Sequence, residues 1–181
     1  MARPAYLILH GYHGSGPGHW QSWLAGRLRA ADAFVRFPDL PDADDPRLET
    51  WLEELERELG AFAEPPVVLC HSAACLLWLH HLERGGKPAE RVLLVAPPSE
   101  TAVPESLLHF FPAPGVALLE HARLVCADND PYCPEGARTL YPGLPTDVLS
   151  GAGHINPETG YGPWPAVEAW AREATEPITA R

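Results

Sequence analysis

Short apolar runs alternate with helical patterns from end to end of this chain of 181 residues. The runs lie at residues 5–9, 33–37, 67–70, 91–96, 122–127 and 146–150. Each has strand length, and all but the last have little polar interruption, as expected of strands covered on both faces. Between them, Trp20, Trp23, Leu24 and Leu28 fall on one helical face. Leu48, Trp51, Leu52, Leu55, Leu59 and Phe62 do the same, and Trp164, Val167, Trp170 and Ala171 mark a last helix. Asp45-Pro46 reads as the start of the second of these, with Asp as N-cap and Pro in the first turn. The alternation predicts an α/β fold of three layers: a six-stranded, mostly parallel sheet with helices on both faces. Right-handed crossovers favour the strand order 2-1-3-4-5-6. With no internal repeat and no linker, a single domain is expected over residues 1–181. Residues 97–120 form the one long irregular connection. Its apolar stretch "LLHFFPAP" either roofs a pocket or packs on the sheet.

Composition removes several functions. The net charge of −11 argues against nucleic acid, which needs a clustered basic face. The four cysteines form no C-x-x-C pair and no zinc-like spacing with histidine, so no metal and no cofactor are expected. Cys70, Cys75 and Cys126 lie in apolar surroundings and read as buried free thiols. No signal-peptide pattern and no membrane-spanning run are seen, which points to a cytoplasmic protein that does not bind membranes.

The segment "VVLCHSAACLLWL" carries the chemistry. It reads as strand, tight turn and buried helix, with Ser72 at the pivot. In a doubly wound sheet, ligands sit at the carboxyl ends of the strands, where Ser72 falls. A serine on such a turn projects its hydroxyl and faces the positive end of the next helix, the logic of the nucleophile elbow G-x-S-x-G. Ala74 replaces the second glycine easily, whereas Cys70 is a bulkier replacement of the first. A serine needs a base held by a carboxylate. The fifth run is followed by "DNDPYCP", offering Asp128 and Asp130, and the sixth by "GAGHINPETGYGPWP", offering His154. The chain order of serine, acid and histidine is that of the α/β-hydrolases. The oxyanion calls for the amide of Ala73 and one from the loop "LHGYHGSG", where Tyr12 is the first candidate and His13 the second. That loop lacks the spacing and lysine of a phosphate cradle. His71 is expected to pack beside the elbow, His80 and His81 to end the pivot helix, and His19, His109 and His121 to lie at the surface.

Together, "YLILHGYHGSGPGHWQSWL", "VVLCHSAA", "ADNDPYC" and "GAGHINPETGYGPWP" resemble the small serine hydrolases related to retinoblastoma-binding protein 9. The resemblance covers nearly the whole chain and departs at Cys70, where the family has glycine. It implies a compact α/β-hydrolase without a large cap domain, with Ser72 as nucleophile, His154 as base and Asp130 as acid. It favours Asp130 over Asp128 because the family's acid directly precedes the proline. It implies esterase-like or aminopeptidase-like activity on a small-molecule acyl substrate. The animal family's protein partner does not carry over. His13, Phe110 and Phe111 are the expected lining of a modest pocket. The rival expectation is a binding protein of the same fold with weakened turnover, in which Cys70 displaces the serine.

Overall fold

The computed structural model describes residues 3–181. Six strands run in the order β2-β1-β3-β4-β5-β6. They are β1 (Ala5–Leu9), β2 (Phe34–Arg36), β3 (Val67–His71), β4 (Arg91–Val95), β5 (Ala122–Ala127) and β6 (Thr146–Leu149). Every neighbouring pair is parallel, with Leu9 opposite Cys70 and Cys70 opposite Leu94. The helices are α1 (Trp20–Ala30), α2 (Leu48–Leu59), α3 (Ala73–Glu83), the short α4 (Ala137–Leu140) and α5 (Pro165–Glu173).

The near-continuous apolar strands are explained by their period of two. Leu7, Leu9, Val68, Cys70, Val92 and Leu94 point to the layer of α2, α3 and α4. Tyr6, Ile8, Val67, Leu69, Leu93 and Val95 point to the layer of α1 and α5. Trp20 and Trp164 fill one layer and Trp51 and Trp78 the other, all fully buried. Each such side chain removed from water contributes about 2–3 kcal/mol. The central α3 is apolar on almost every face because it is covered all round.

Two expectations are corrected. Helix α2 begins at Leu48 with Arg47 as N-cap, not at Asp45-Pro46. The Asp45 carboxylate is engaged by Arg47 at 3.0 Å. The Leu48 amide instead donates to His109 Nε2 at 3.2 Å, so a residue far along the chain supplies the cap. In the connection after β4, Glu105–Phe110 form a 3-10 turn, and Phe110 is fully buried. Its ring stands edge-on to Trp51 and its carbonyl accepts from His80 Nε2 at 2.8 Å. Phe110 is therefore core.

All four cysteines are free and buried. No helix is long and apolar enough to cross a membrane among the described residues.

Candidate active site

The carboxyl end of β3 feeds into α3 through Ser72, whose φ of 55° and ψ of −125° form a sharp, sparsely populated turn. The Ser72 amide donates to the Val95 carbonyl at 2.9 Å, and its own carbonyl accepts from the Cys75 amide at 2.9 Å. These two bonds hold the serine in a conformation that costs on the order of 1–3 kcal/mol. Cys70 keeps its place in β3, fully buried among the side chains facing α3. Its bulk is absorbed by that layer, and the turn forms with it in place.

The turn after β5 brings Asp130 to the same end of the sheet, and the turn after β6 brings His154. The His154 Nε2 lies 2.9 Å from Ser72 Oγ. The Asp130 carboxylate lies 2.9 and 3.0 Å from His154 Nδ1. A carboxylate accepts, so Nδ1 carries the ring proton and Nε2 is left to accept from the serine hydroxyl. Asp130 also accepts from the Tyr132 amide at 2.9 Å, which fixes its plane. Asp128, the other acid in "DNDPYCP", turns away. It accepts from Ser150 Oγ at 2.9 Å and the Gly151 amide at 2.8 Å, and these bonds hold its carboxyl below the usual range.

The loop after β1 passes close over the elbow. A β-carbon added at Gly11 would fall 2.7 Å from Ser72 Cβ and 2.9 Å from the His71 carbonyl oxygen. Only glycine allows that approach. The His13 amide is engaged by the Ala43 carbonyl at 2.9 Å. The amides of Tyr12 and Ala73 have no acceptor among the described residues, which distinguishes Tyr12 from His13 as a donor to a bound oxygen. His10 anchors this loop: its Nδ1 donates to the Gly11 carbonyl at 2.8 Å and its Nε2 accepts from the Leu40 amide at 2.8 Å. Burial, foremost, lowers its pKa.

A cavity of about 320 Å³ opens over Ser72 and His154. Tyr12, His13, Leu107 and Tyr132 contribute to its walls, and Glu158 is its one carboxylate among the described residues. Phe110 is absent from this lining because it packs beneath the connection, and Phe111 lines a separate, neighbouring cavity. Leu107 and Val103 supply the apolar wall expected of those two phenylalanines. His71 packs beside the elbow, and its Nε2 donates to the His154 carbonyl at 2.9 Å. His109 and His121 are exposed, but His19 is buried and lines the cavity. No group of three or more His, Cys, Asp or Glu is arranged to hold a metal among the described residues.

YdeN of Bacillus subtilis (strain 168) is 35% identical over 86 residues, which is 46% of this chain and 45% of YdeN. The matched stretch thus spans less than half of that relative's length. The solved structure of the B. subtilis ydeN gene product superposes with a TM-score of 0.74 at 22% identity, over 91% of this chain and 95% of that one. A YdeN-like protein of Pectobacterium atrosepticum SCRI1043 gives 0.77 at 22%, over 93% and 90%. The esterase domain of a Rhodothermus marinus protein gives 0.69 at 15%, over 94% and 88%. At these identities the structures share the fold, which is the α/β-hydrolase fold without a cap. The family model described as Serine hydrolase matches residues 6–173, nearly the whole chain. The chain belongs to the serine hydrolase family.

Proposed function

We propose that the protein cleaves a small ester through an acyl-enzyme on Ser72, as a single catalytic domain. The observation that carries this reading is the unbroken hydrogen-bonded series from Asp130 through His154 to Ser72 Oγ. Ser72 Oγ attacks the acyl carbonyl while its proton passes to His154 Nε2. Asp130 stabilises the imidazolium and holds the ring. The amides of Tyr12 and Ala73 receive the developing oxyanion. As the tetrahedral adduct collapses, His154 returns the proton to the leaving alcohol. Water then attacks the acyl-enzyme, giving its proton to His154, and the acid leaves as Ser72 recovers its hydrogen. These steps are completed by the chain's own groups. The finer kinship with hydrolases related to retinoblastoma-binding protein 9 belongs to this proposal. So does a cytoplasmic location, which the free thiols support.

A second reading, amide hydrolysis at an aminoacyl substrate, is favoured by Glu158. This carboxylate stands in the cavity wall with no ion-pair partner among the described residues, and it would attract an ammonium group.

Fluorophosphonate labelling tests the main reading. Labelling is expected to vanish in Ser72→Ala and to fall at least about a thousandfold in rate in His154→Ala and Asp130→Asn. Asp128→Asn is expected to retain most of it. Turnover of simple esters with none of aminoacyl amides separates the two readings. A folded wild type that takes no label would remove the hydrolase reading.

A further inference from the structure

His19 is 4% exposed and lines the cavity over Ser72. As N-cap of α1, its Nδ1 accepts the Gln21 amide hydrogen at 3.2 Å. That bond needs a bare Nδ1, so the proton of the neutral ring sits on Nε2. Burial, foremost, brings its pKa down to about 4, and the ring is uncharged near neutral pH. The Nε2–H has no acceptor among the described residues, and the atom is not sealed in the interior.

His71 has the complementary arrangement. Its Nε2 donates to the His154 carbonyl, and a carbonyl only accepts, so Nδ1 is bare. Nδ1 has no donor among the described residues and is also not sealed off. The two rings lie 4.8 Å apart between centroids at 67°, and both line the cavity. Burial, with His19 and His154 nearby, keeps His71 uncharged as well. Two adjacent rings of the wall thus carry one unengaged N–H donor and one unengaged bare nitrogen. No lysine or arginine lines the cavity among the described residues.

We propose that His19 and His71 together bind a hydroxyl group of the substrate, so that the enzyme selects esters carrying a free hydroxyl near the scissile bond. The hydroxyl accepts from His19 Nε2–H and donates to His71 Nδ1. An alkyl group leaves both nitrogens unmatched. A carboxylate meets the lone pair of His71 without a cation to balance it, and an ammonium leaves the His19 donor idle. The inference rests on the ester-hydrolysis reading above.

The test compares kcat/KM for two pairs of esters that differ by a hydroxyl: lactate against propionate esters of one alcohol, and glycerol monobutyrate against propyl butyrate. The first pair places the hydroxyl on the acyl side, the second on the leaving group. Each ratio is measured for wild type and His19→Asn, since the asparagine Oδ1 keeps the cap of α1 while its amide donor, on a shorter side chain, falls short of the place of the imidazole Nε2–H. In one pair, the preference for the hydroxy ester is expected to drop about tenfold in the variant, mostly through KM, the size of one neutral hydrogen bond. His19→Asp, a capping residue whose ionised side chain has no donor at all, must show the same loss. Unchanged ratios in both pairs for folded variants would overturn the inference while leaving the hydrolase reading in place. No turnover of any of the four esters by folded wild type overturns both.

Discussion

Gly11 and Ser72 approach so closely that the loop and the elbow share one surface. A methyl group at position 11 would press on the Ser72 side chain and stand 3.2 Å from the Ala73 nitrogen, the proposed donor to an oxyanion. Gly11→Ala is expected to lower kcat/KM by about a hundredfold, because a displacement near 1 Å at a reacting centre has that effect. Steady-state kinetics on a protein shown to be folded by circular dichroism would check this, and wild-type rates would refute it. The sequence points to the loop after the first strand as the neighbour of the elbow, and the structure brings that loop against it at Gly11. It fails at His19 for a physical reason. A histidine within a glycine-rich loop looks solvated, and its burial comes from His71 and Trp20, which only the fold brings to it. Phe110 and Phe111 fail similarly. Neighbours in an irregular segment point to different sides, and no periodicity tells which.

At the scale of elements, the turn after β5 clamps the turn after β6 with three consecutive side chains. Asp128 holds Ser150 and Gly151, Asn129 Oδ1 accepts from the Gly153 amide at 2.8 Å, and Asp130 holds His154. Position 153 calls for glycine, because its φ is 56° and a β-carbon there would meet Thr159 Cγ2 at 2.5 Å. Asn129→Ala should leave the fold intact and slow fluorophosphonate labelling about tenfold, since the proposed base, His154, is then held by fewer contacts. A labelling rate equal to wild type would count against this clamp. The strands themselves were legible to within a residue or two, because in the four central ones continuous apolar runs report burial on both faces. The start of α2 was not, because its first amide is satisfied by His109 across the fold. The pairing of Asp130 rather than Asp128 with His154 follows from the backbone path of the turn, which the local residue types leave open.

At the scale of the whole molecule, buried neutral histidines tie stability to pH. Burial, foremost, lowers the pKa values of His10, His19 and His71. A folded pKa below the unfolded one means that the unfolded chain binds the extra proton first, so stability falls as pH falls. For His19 the window runs from its ordinary 6.5 down to about 4, and across it the loss is on the order of 3 kcal/mol. Thermal melts between pH 7.5 and 4.5 are expected to show Tm falling toward acid. His19→Asn should flatten that slope, and an unchanged slope would argue that His19 is not held neutral. Above pH 7 this group contributes no pH dependence.

The buried cysteines bear on how the protein meets reactive small molecules. Burial raises the pKa of Cys70, Cys75, Cys126 and Cys133, the last to about 12. A thiolate, not a thiol, attacks electrophiles, so near neutral pH sulfur is a silent background in the native state. An acylating or phosphonylating inhibitor therefore faces no competing sulfur nucleophile. The appearance of thiol adducts in turn becomes a reporter of unfolding.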